Sequence, residues 1–207
     1  MSADHGLNER AYARLKNDLV EGRLLPGRVH IGQLADRYGM SVTPIREAVL
    51  RLVGETLIDM PTAGGFKIHA LDEPAVRQLY ALSQYMMLTA VSCQSAALVD
   101  HSLENEPVAG ASPPIERLAD SLAKGTRNIF LLFFVRNLND HMRRIRRAEE
   151  GKLSGLDREF AALLGQFEHG SRQSIRRSVI AYHRRRLRNL PEIMGALAQN
   201  GLSIGRN

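Results

Sequence analysis

Residues 30–69, HIGQLADRYGMSVTPIREAVLRLVGETLIDMPTAGGFKIH, carry the pattern that decides the fold. Apolar residues recur between Ile31 and Tyr38 at the spacing of a single helix face, which predicts a short helix. Gly39 follows directly, and glycine accepts the left-handed conformation that commonly ends a helix. A second helix begins within a few residues, so the stretch predicts two helices joined by a tight turn.

The second helix has a buried face and an outward face. Ser41 or Thr43 can be its N-cap, and Pro44 suits its first turn. Its inward face is apolar and comprises Ile45, Val49, Leu52 and Val53. Thr43, Arg46 and Arg51 then point outward. A helix-turn-helix of this kind places its second helix in the major groove of DNA.

A short β-hairpin is predicted after the second helix. Ile58–Met60 and Phe66–Ile68 are apolar enough for two strands, and residues 61–65 form a turn-rich tip. Gly64 and Gly65 at the tip allow close approach of the backbone to a partner. The hairpin is either the wing of a winged helix-turn-helix or an ordinary packed hairpin.

The sequence SVTPIREAVLRLVGETLIDMPTAGGFKI, residues 41–68, resembles the DNA-binding domain of the GntR family of bacterial transcription regulators. YARL at 12–15 and GRLLPG at 22–27 resemble the first helix and first turn of that domain. The resemblance covers residues 8–70 with matched order and spacing. It implies a winged helix-turn-helix that binds operator DNA.

The resemblance also implies which residues contact DNA. Ser41, Thr43 and Arg46 match positions that reach DNA in the family, and an arginine can bind a guanine edge through two hydrogen bonds. Pro44, Arg51, Gly64 and Gly65 complete the predicted DNA-binding set. Basic residues that some members use are replaced here by Gly32, Val42 and Ala63. The alternative for Arg46 is an ion pair with Glu47 or Asp36.

Composition favours a helical protein in the cytoplasm. Among 207 residues, 44% are hydrophobic, Trp is absent, and only one Cys occurs, so no internal disulfide can form. The first ten residues, MSADHGLNER, lack the apolar core of a signal peptide, so none is expected, and no apolar run is long enough to span a membrane. The chain has 28 Lys/Arg and 22 Asp/Glu residues. Residues 1–75 contain 9 Lys/Arg and 10 Asp/Glu, a net charge of −1, so the remaining residues carry a net charge of +7. Bulk charge therefore does not identify the DNA-binding part.

Leu71–Pro74 is the predicted boundary between a DNA-binding domain, residues 1–72, and a helical domain, residues 73–207. Helices are predicted in the second domain at 75–99, 115–123, 128–150, 156–169, 171–190 and 191–197, with a loop at 100–114. The apolar block 129–135 is compatible with a buried strand, but a helix is favoured because no partner strand is visible. The fold class is mainly α, a winged helix-turn-helix followed by an all-α bundle.

The second domain resembles the effector domain of the FadR-like (FCD) branch of the family. The matching segments are VRQLY at 76–80, Asn128 before a long helix, and DHMRRIR at 140–146. In that branch the bundle holds a pocket, often with a divalent metal bound by one Asp and three His. The resemblance therefore implies an effector pocket and a homodimer formed through the bundle.

The family's metal ligands are replaced in this sequence. Their positions fall on Ile115, Ala119 and Phe160, and only His183 matches a ligand. The family's Arg and Glu on the first helix of the domain are likewise replaced by Ser83 and Met87. One imidazole cannot hold a metal ion alone, so no metal or other cofactor is expected.

The remaining candidates for an effector pocket are Arg136, Asn137, His141, Arg143 and His183. Because the domain is basic, a small acidic effector is the expected ligand. Arg143–Arg147 and Arg184–Arg186 are expected to form solvated helix faces instead of an anion site.

The leading interpretation is a dimeric transcription regulator, a repressor released or modulated by a small metabolite. The alternative is a ligand-independent DNA-binding protein whose bundle only dimerises. No convergent catalytic set or phosphate-binding loop is apparent, so an enzyme is not expected.

Overall fold

The structure is a computed structural model that describes residues 2–93 and 112–203, with side chains for 6–93 and 112–199. Two compact units are present, one up to Leu71 and one from Asp72 to Gln199. The division lies next to the boundary placed from the sequence.

Three helices form the first unit: α1 (Ser2–Val20), α2 (Ile31–Tyr38) and α3 (Val42–Gly54). α1 packs against α3 and α2 packs against α3. The side chains at their centre are almost completely buried, namely Ala11, Leu15, Ile45, Val49, Leu52 and Ile58. Burial of each Leu, Ile or Val side chain contributes roughly 1.5–3 kcal/mol, which fixes α3 against its two neighbours.

The small sheet of the first unit differs from the predicted hairpin in one strand. β1 (Gly27–Val29) pairs antiparallel with β2 (Phe66–Ile68), and Arg28 lies opposite Lys67. In place of the strand predicted at Ile58–Met60, a single bridge joins Asp59 to Lys67. The predicted β2 is confirmed, but its regular partner comes from the segment before α2.

The described residues of the second unit form helices and the turns between them, with no strand. Its helices are α4 (Glu73–Cys93), α5 (Pro114–Gly125), α6 (Ile129–Glu150), α7 (Leu156–His169), α8 (Arg172–Arg188) and α9 (Leu190–Ser203). Buried apolar side chains of α4 to α8 form one core. The helix predicted at residues 94–99 and the loop predicted at 100–111 lie outside the described residues. Within the described part of the chain, no helix is long and apolar enough to cross a membrane.

The apolar block 129–135 is helical, so the helix interpretation is confirmed and the strand alternative is wrong. Asn128 is the N-cap of α6, and its Oδ1 accepts hydrogen bonds from the backbone N–H groups of Phe130 and Leu131 at 3.0 and 3.1 Å. This cap satisfies two of the unpaired donors at the start of the helix.

Candidate functional site

The turn between α2 and α3 sets the direction of the second helix. Gly39 adopts a left-handed conformation (φ 62°, ψ 40°) at the end of α2. The backbone N–H of Met40 donates to the carbonyl of Ala35 at 3.0 Å, which closes the turn. Ser41 is the N-cap of α3, and its side chain makes no capping hydrogen bond. Its exposed hydroxyl can therefore bind a partner outside the chain.

α3 presents an exposed face that includes two of the predicted DNA contacts. Thr43 and Arg46 are exposed, and Val42 and Leu50 on the same side are each 46% exposed. Neither Glu47 nor Asp36 forms an ion pair with Arg46 within the described residues, and Glu47 instead accepts a hydrogen bond from Asn8 at 2.5 Å. The guanidinium of Arg46 is thus available to a ligand of the α3 face.

Two residues of the predicted set are used inside the unit. The Pro44 ring is buried in the first turn of α3, so its side chain is not part of the exposed face. Arg51 faces α1, where its guanidinium lies 2.7 Å from Glu9 and 3.6 Å from the centre of the Tyr12 ring. The exposed side of α3 follows residues spaced by four, Val42, Arg46 and Leu50, and Arg51 is not one of them. Both of its contacts hold the Arg51 side chain toward α1 and away from that side.

The tip between Asp59 and β2 is a tight turn exposed to solvent. Gly64 and Gly65 have φ angles of 85° and 83°, a conformation that is costly for residues with a Cβ. The N–H of Gly64 donates to the carbonyl of Pro61 at 2.8 Å. These two glycines are therefore required by the turn, and their exposure leaves the backbone accessible.

A basic pair at the base of this turn was missed by sequence reasoning. Arg28 and Lys67 are exposed, lie opposite each other in the sheet, and therefore project on the same side. The Arg28 guanidinium also lies close to Gly65. Like charges at directly opposite positions repel, so an anionic partner would stabilise this arrangement. The pairing of Arg28 with Lys67 could not be predicted, because β1 has only three residues and a strand that short has no recognisable sequence pattern.

The residues predicted for an effector pocket differ in their exposure and in their partners. Arg136 is exposed and donates to Asp120 at 2.6 Å, and Arg143 binds Glu116 at 2.7 Å. His183 is buried, whereas Asn137 and His141 are half-buried. None of these five residues lines the cavity described below.

His183 is held as a neutral imidazole in the core of the second unit. Its Nδ1 lies 2.8 Å from the carbonyl of Val179, and its Nε2 lies 3.1 Å from Ser83 Oγ. Burial lowers the pKa of His183 to about 4, and the positive charges of Arg146 and Arg186 also lower it. Both ring nitrogens are engaged by other groups, so His183 is not disposed to bind a metal ion.

The other positions of the family's metal site also do not fit a metal. Ile115 and Ala119 are buried in the core, and Phe160 packs against it. In the described part of the chain, no group of three or more His, Cys, Asp or Glu side chains could hold a metal ion.

A cavity of about 380 Å³ opens in the second unit. Its polar lining carries both signs of charge, from Arg146, Arg186, Glu149, Glu150 and Asp157. Its apolar lining includes Ile115, Leu153, Leu156, Phe160 and the ring of Tyr182. The volume and the mixture of apolar walls with a few polar groups are typical of small-molecule sites.

Arg146 and Arg186 are 3% and 2% exposed, so the expectation of a solvated face is wrong for both. Arg186 donates to Glu149 at 3.0 Å and to Glu159 at 2.7 Å, and it stacks on the Tyr182 ring at 3.4 Å. Arg146 donates to Asn139 at 2.9 Å and lies 3.1 Å from Glu116. Buried charges require such partners, which come from other helices and from distant turns of the same helix.

A second donor reaches Glu149. The Tyr80 hydroxyl of α4 donates to its other carboxylate oxygen at 2.6 Å, and burial together with this carboxylate raises the pKa of Tyr80. Glu149 therefore joins α4, α6 and α8 through hydrogen bonds to charged or phenolic groups.

The first unit is similar in sequence to known transcription regulators. Residues 7–68 match the family described as bacterial regulatory proteins, gntR family. The chain is 31% identical over 112 residues to the HTH-type transcriptional regulator McbR of Escherichia coli K12, covering 54% of this chain and 48% of that protein. It is 29% identical over 82 residues to the HTH-type transcriptional repressor GlaR of the same organism, covering 39% and 37%. The alignments therefore span about half or less of the curated relatives.

The fold of nearly the whole chain is also found in a solved structure. A putative GntR transcriptional regulator from Rhodococcus sp. RHA1 superposes with a TM-score of 0.72 over 91% of this chain and 98% of that one, at 16% identity. This similarity shows a winged helix-turn-helix joined to a helical bundle. Residues 7–68 therefore form a domain of the gntR family of bacterial regulatory proteins, and the Rhodococcus structure shows that nearly the whole chain shares its fold.

Proposed function

We propose that this chain is a sequence-specific DNA-binding repressor that acts in the cytoplasm as a homodimer. The observation that carries the proposal is the outward face of α3, where Arg46 is exposed and makes no ion pair with any described residue. Ser41 and Thr43 flank it with hydroxyl groups that can bind phosphates or base edges. The function named for GlaR, transcriptional repression, supports the same assignment by analogy.

The wing adds two exposed basic side chains to a first unit whose acidic and basic residues nearly balance. Arg28 and Lys67 project together beside the exposed Gly64–Gly65 backbone. Contacts to phosphates position a protein on DNA without reading its sequence, and they release counterions. We assign this role to the pair, whereas Arg46 reads bases.

Replacing both wing residues, Arg28→Ala with Lys67→Ala, is expected to weaken binding to all DNA sequences equally. Each lost phosphate contact reduces the slope of log affinity against log salt by about 0.9, so each bound chain loses about 1.8. Fluorescence anisotropy with the full chain at several salt concentrations measures this slope. Arg23→Ala is the matched control, because exposed Arg23 is paired with Asp18 at 2.7 Å. An unchanged slope in the double variant would contradict the assignment.

The second unit is assigned to the FadR-like (FCD) type, with its effector in the 380 Å³ cavity. Arg146 and Arg186 offer guanidinium groups to a small carboxylate, while Glu149 and Asp157 can receive an ammonium group. The proposal includes no resident metal, since the described residues at the family's metal positions carry no ligand except His183. The alternative is a bundle that only dimerises, in which these buried charges serve the fold.

A thermal-shift screen of small carboxylates, amino acids and divalent cations separates these alternatives. A ligand at 100 times its dissociation constant stabilises the protein by about 2.7 kcal/mol, which raises the Tm by about 5–10 °C. We expect such a shift with a carboxylate or an amino acid and none with zinc, nickel or manganese. Absence of any metabolite shift would favour the bundle that only dimerises, and a metal-induced shift would contradict the metal-free site.

A further inference from the structure

Four large apolar side chains are exposed together at the start of α6. Ile129, Phe130, Phe133 and Phe134 are 73%, 70%, 59% and 53% exposed, and we call them the α6 stripe. The inward face of the same turns is formed by other residues, including the buried Val135. A surface helix is normally polar on its outward side, so these turns are apolar on both sides.

The α6 stripe lies on a well-fixed helix end. The side chain of Asn128 caps the first turn, and Phe133 and Phe134 contact each other edge to face, with ring centres 5.4 Å apart. Capping fixes the first turn of a helix, so the stripe is a preformed surface.

Area and charge indicate what covers this surface. Aromatic side chains carry about 150–250 Å² each, so these exposures leave roughly 500 Å² of apolar surface. A stable interface buries about 800 Å² per partner, and about 65% of a homodimer interface is apolar. Each partner therefore contributes roughly 500 Å² of apolar surface, which equals the apolar area exposed by the α6 stripe. Residues 129–135 include no charged residue, and the next charge, Arg136, is paired with Asp120.

A stripe on a single helix can face its own copy across a two-fold axis. In such an isologous interface each copy contributes the same patch, so an uncharged patch has no like-charge repulsion at its centre. The paired Arg136, Asp120 and Lys124 are exposed enough to form the polar rim that surrounds most interfaces.

We infer that the α6 stripe is the dimer interface of this protein, with a second copy of the chain as its partner. The inference rests on the proposed dimeric function and specifies the surface that the dimer uses. It gives the dimer an apolar centre at Phe130 and Phe133.

Sedimentation equilibrium of the full chain tests this inference with the double variant Phe130→Glu/Phe133→Glu. The wild-type protein is expected at twice 23.0 kDa at micromolar concentration, and the variant at 23.0 kDa. Each variant residue occurs twice in the dimer, so the dissociation constant rises on the order of 1,000-fold. Circular dichroism is expected to be unchanged, since both side chains are already exposed in one copy.

Tyr85→Glu is the matched control, because Tyr85 is a 65% exposed aromatic residue of α4 outside the stripe. It is expected to remain dimeric. A dimeric Phe130→Glu/Phe133→Glu variant would overturn the inference and leave the proposed function intact. A wild-type protein that stays monomeric at every concentration would instead overturn the dimeric function itself.

Discussion

Arg46→Ala is expected to abolish specific operator binding while leaving non-specific DNA binding and the fold intact. A bidentate arginine–guanine contact contributes about 1–3 kcal/mol of discrimination, and a dimer makes it twice. Tenfold in affinity corresponds to about 1.4 kcal/mol, so a loss of about 2–6 kcal/mol lowers the affinity between about 30-fold and about 20,000-fold. Fluorescence anisotropy titrations measure this loss of affinity, with an operator obtained by selection from random DNA duplexes and with a scrambled duplex for comparison.

Arg51→Ala is the matched control on the same helix. Its guanidinium is held by Glu9 and Tyr12, so its removal is expected to lower stability by up to about 1 kcal/mol and to leave operator preference unchanged. Arg46→Lys keeps the charge but loses the planar pair of donors, and should lose most of the specificity. Full operator affinity in Arg46→Ala would show that α3 does not read bases through this residue.

Arg186→Met is expected to destabilise the second unit by about 3–5 kcal/mol. The change removes the cation that contacts Glu149 and Glu159 and leaves the Glu149 carboxylate buried without its charged partner. Breaking one side of a buried ion pair typically costs this much, because the remaining charge is poorly solvated. Urea unfolding followed by circular dichroism measures the loss.

Arg184→Met is the control for this variant, since Arg184 lies on the same helix but is exposed. Its effect is expected within about 0.5 kcal/mol. Adding Glu149→Gln to Arg186→Met should recover part of the stability, because the buried charge is then removed. Equal stability of the Arg184 and Arg186 variants would mean that the buried pair contributes nothing to the fold.

The helix-turn-helix could be predicted from the sequence because its signals are local. Gly39 ends α2 in the predicted left-handed conformation, and Ile45, Val49 and Leu52 are buried as their spacing indicates. β1 could not be predicted, since three residues have no recognisable period and their pairing with β2 depends on a contact across about 40 residues. The basic pair Arg28 and Lys67 was missed for the same reason.

The interior of the second unit was the least predictable part. Composition indicated arginine-rich surface faces, yet Arg146 and Arg186 are buried because carboxylates from elsewhere in the bundle meet them. Sequence periodicity does not encode such pairings. The turn of Arg51 toward α1 also depends on Glu9 and Tyr12, far from it in sequence.

Selection of bound sequences from random DNA duplexes by the full chain tests the central claim most directly, namely that two copies of α3 read one operator through Arg46. The wild-type protein is expected to enrich an inverted repeat of two half-sites with a guanine common to both. Arg46→Ala is expected to lose the preference for that guanine. Enrichment of no sequence, or of the same inverted repeat by both proteins, would contradict the account.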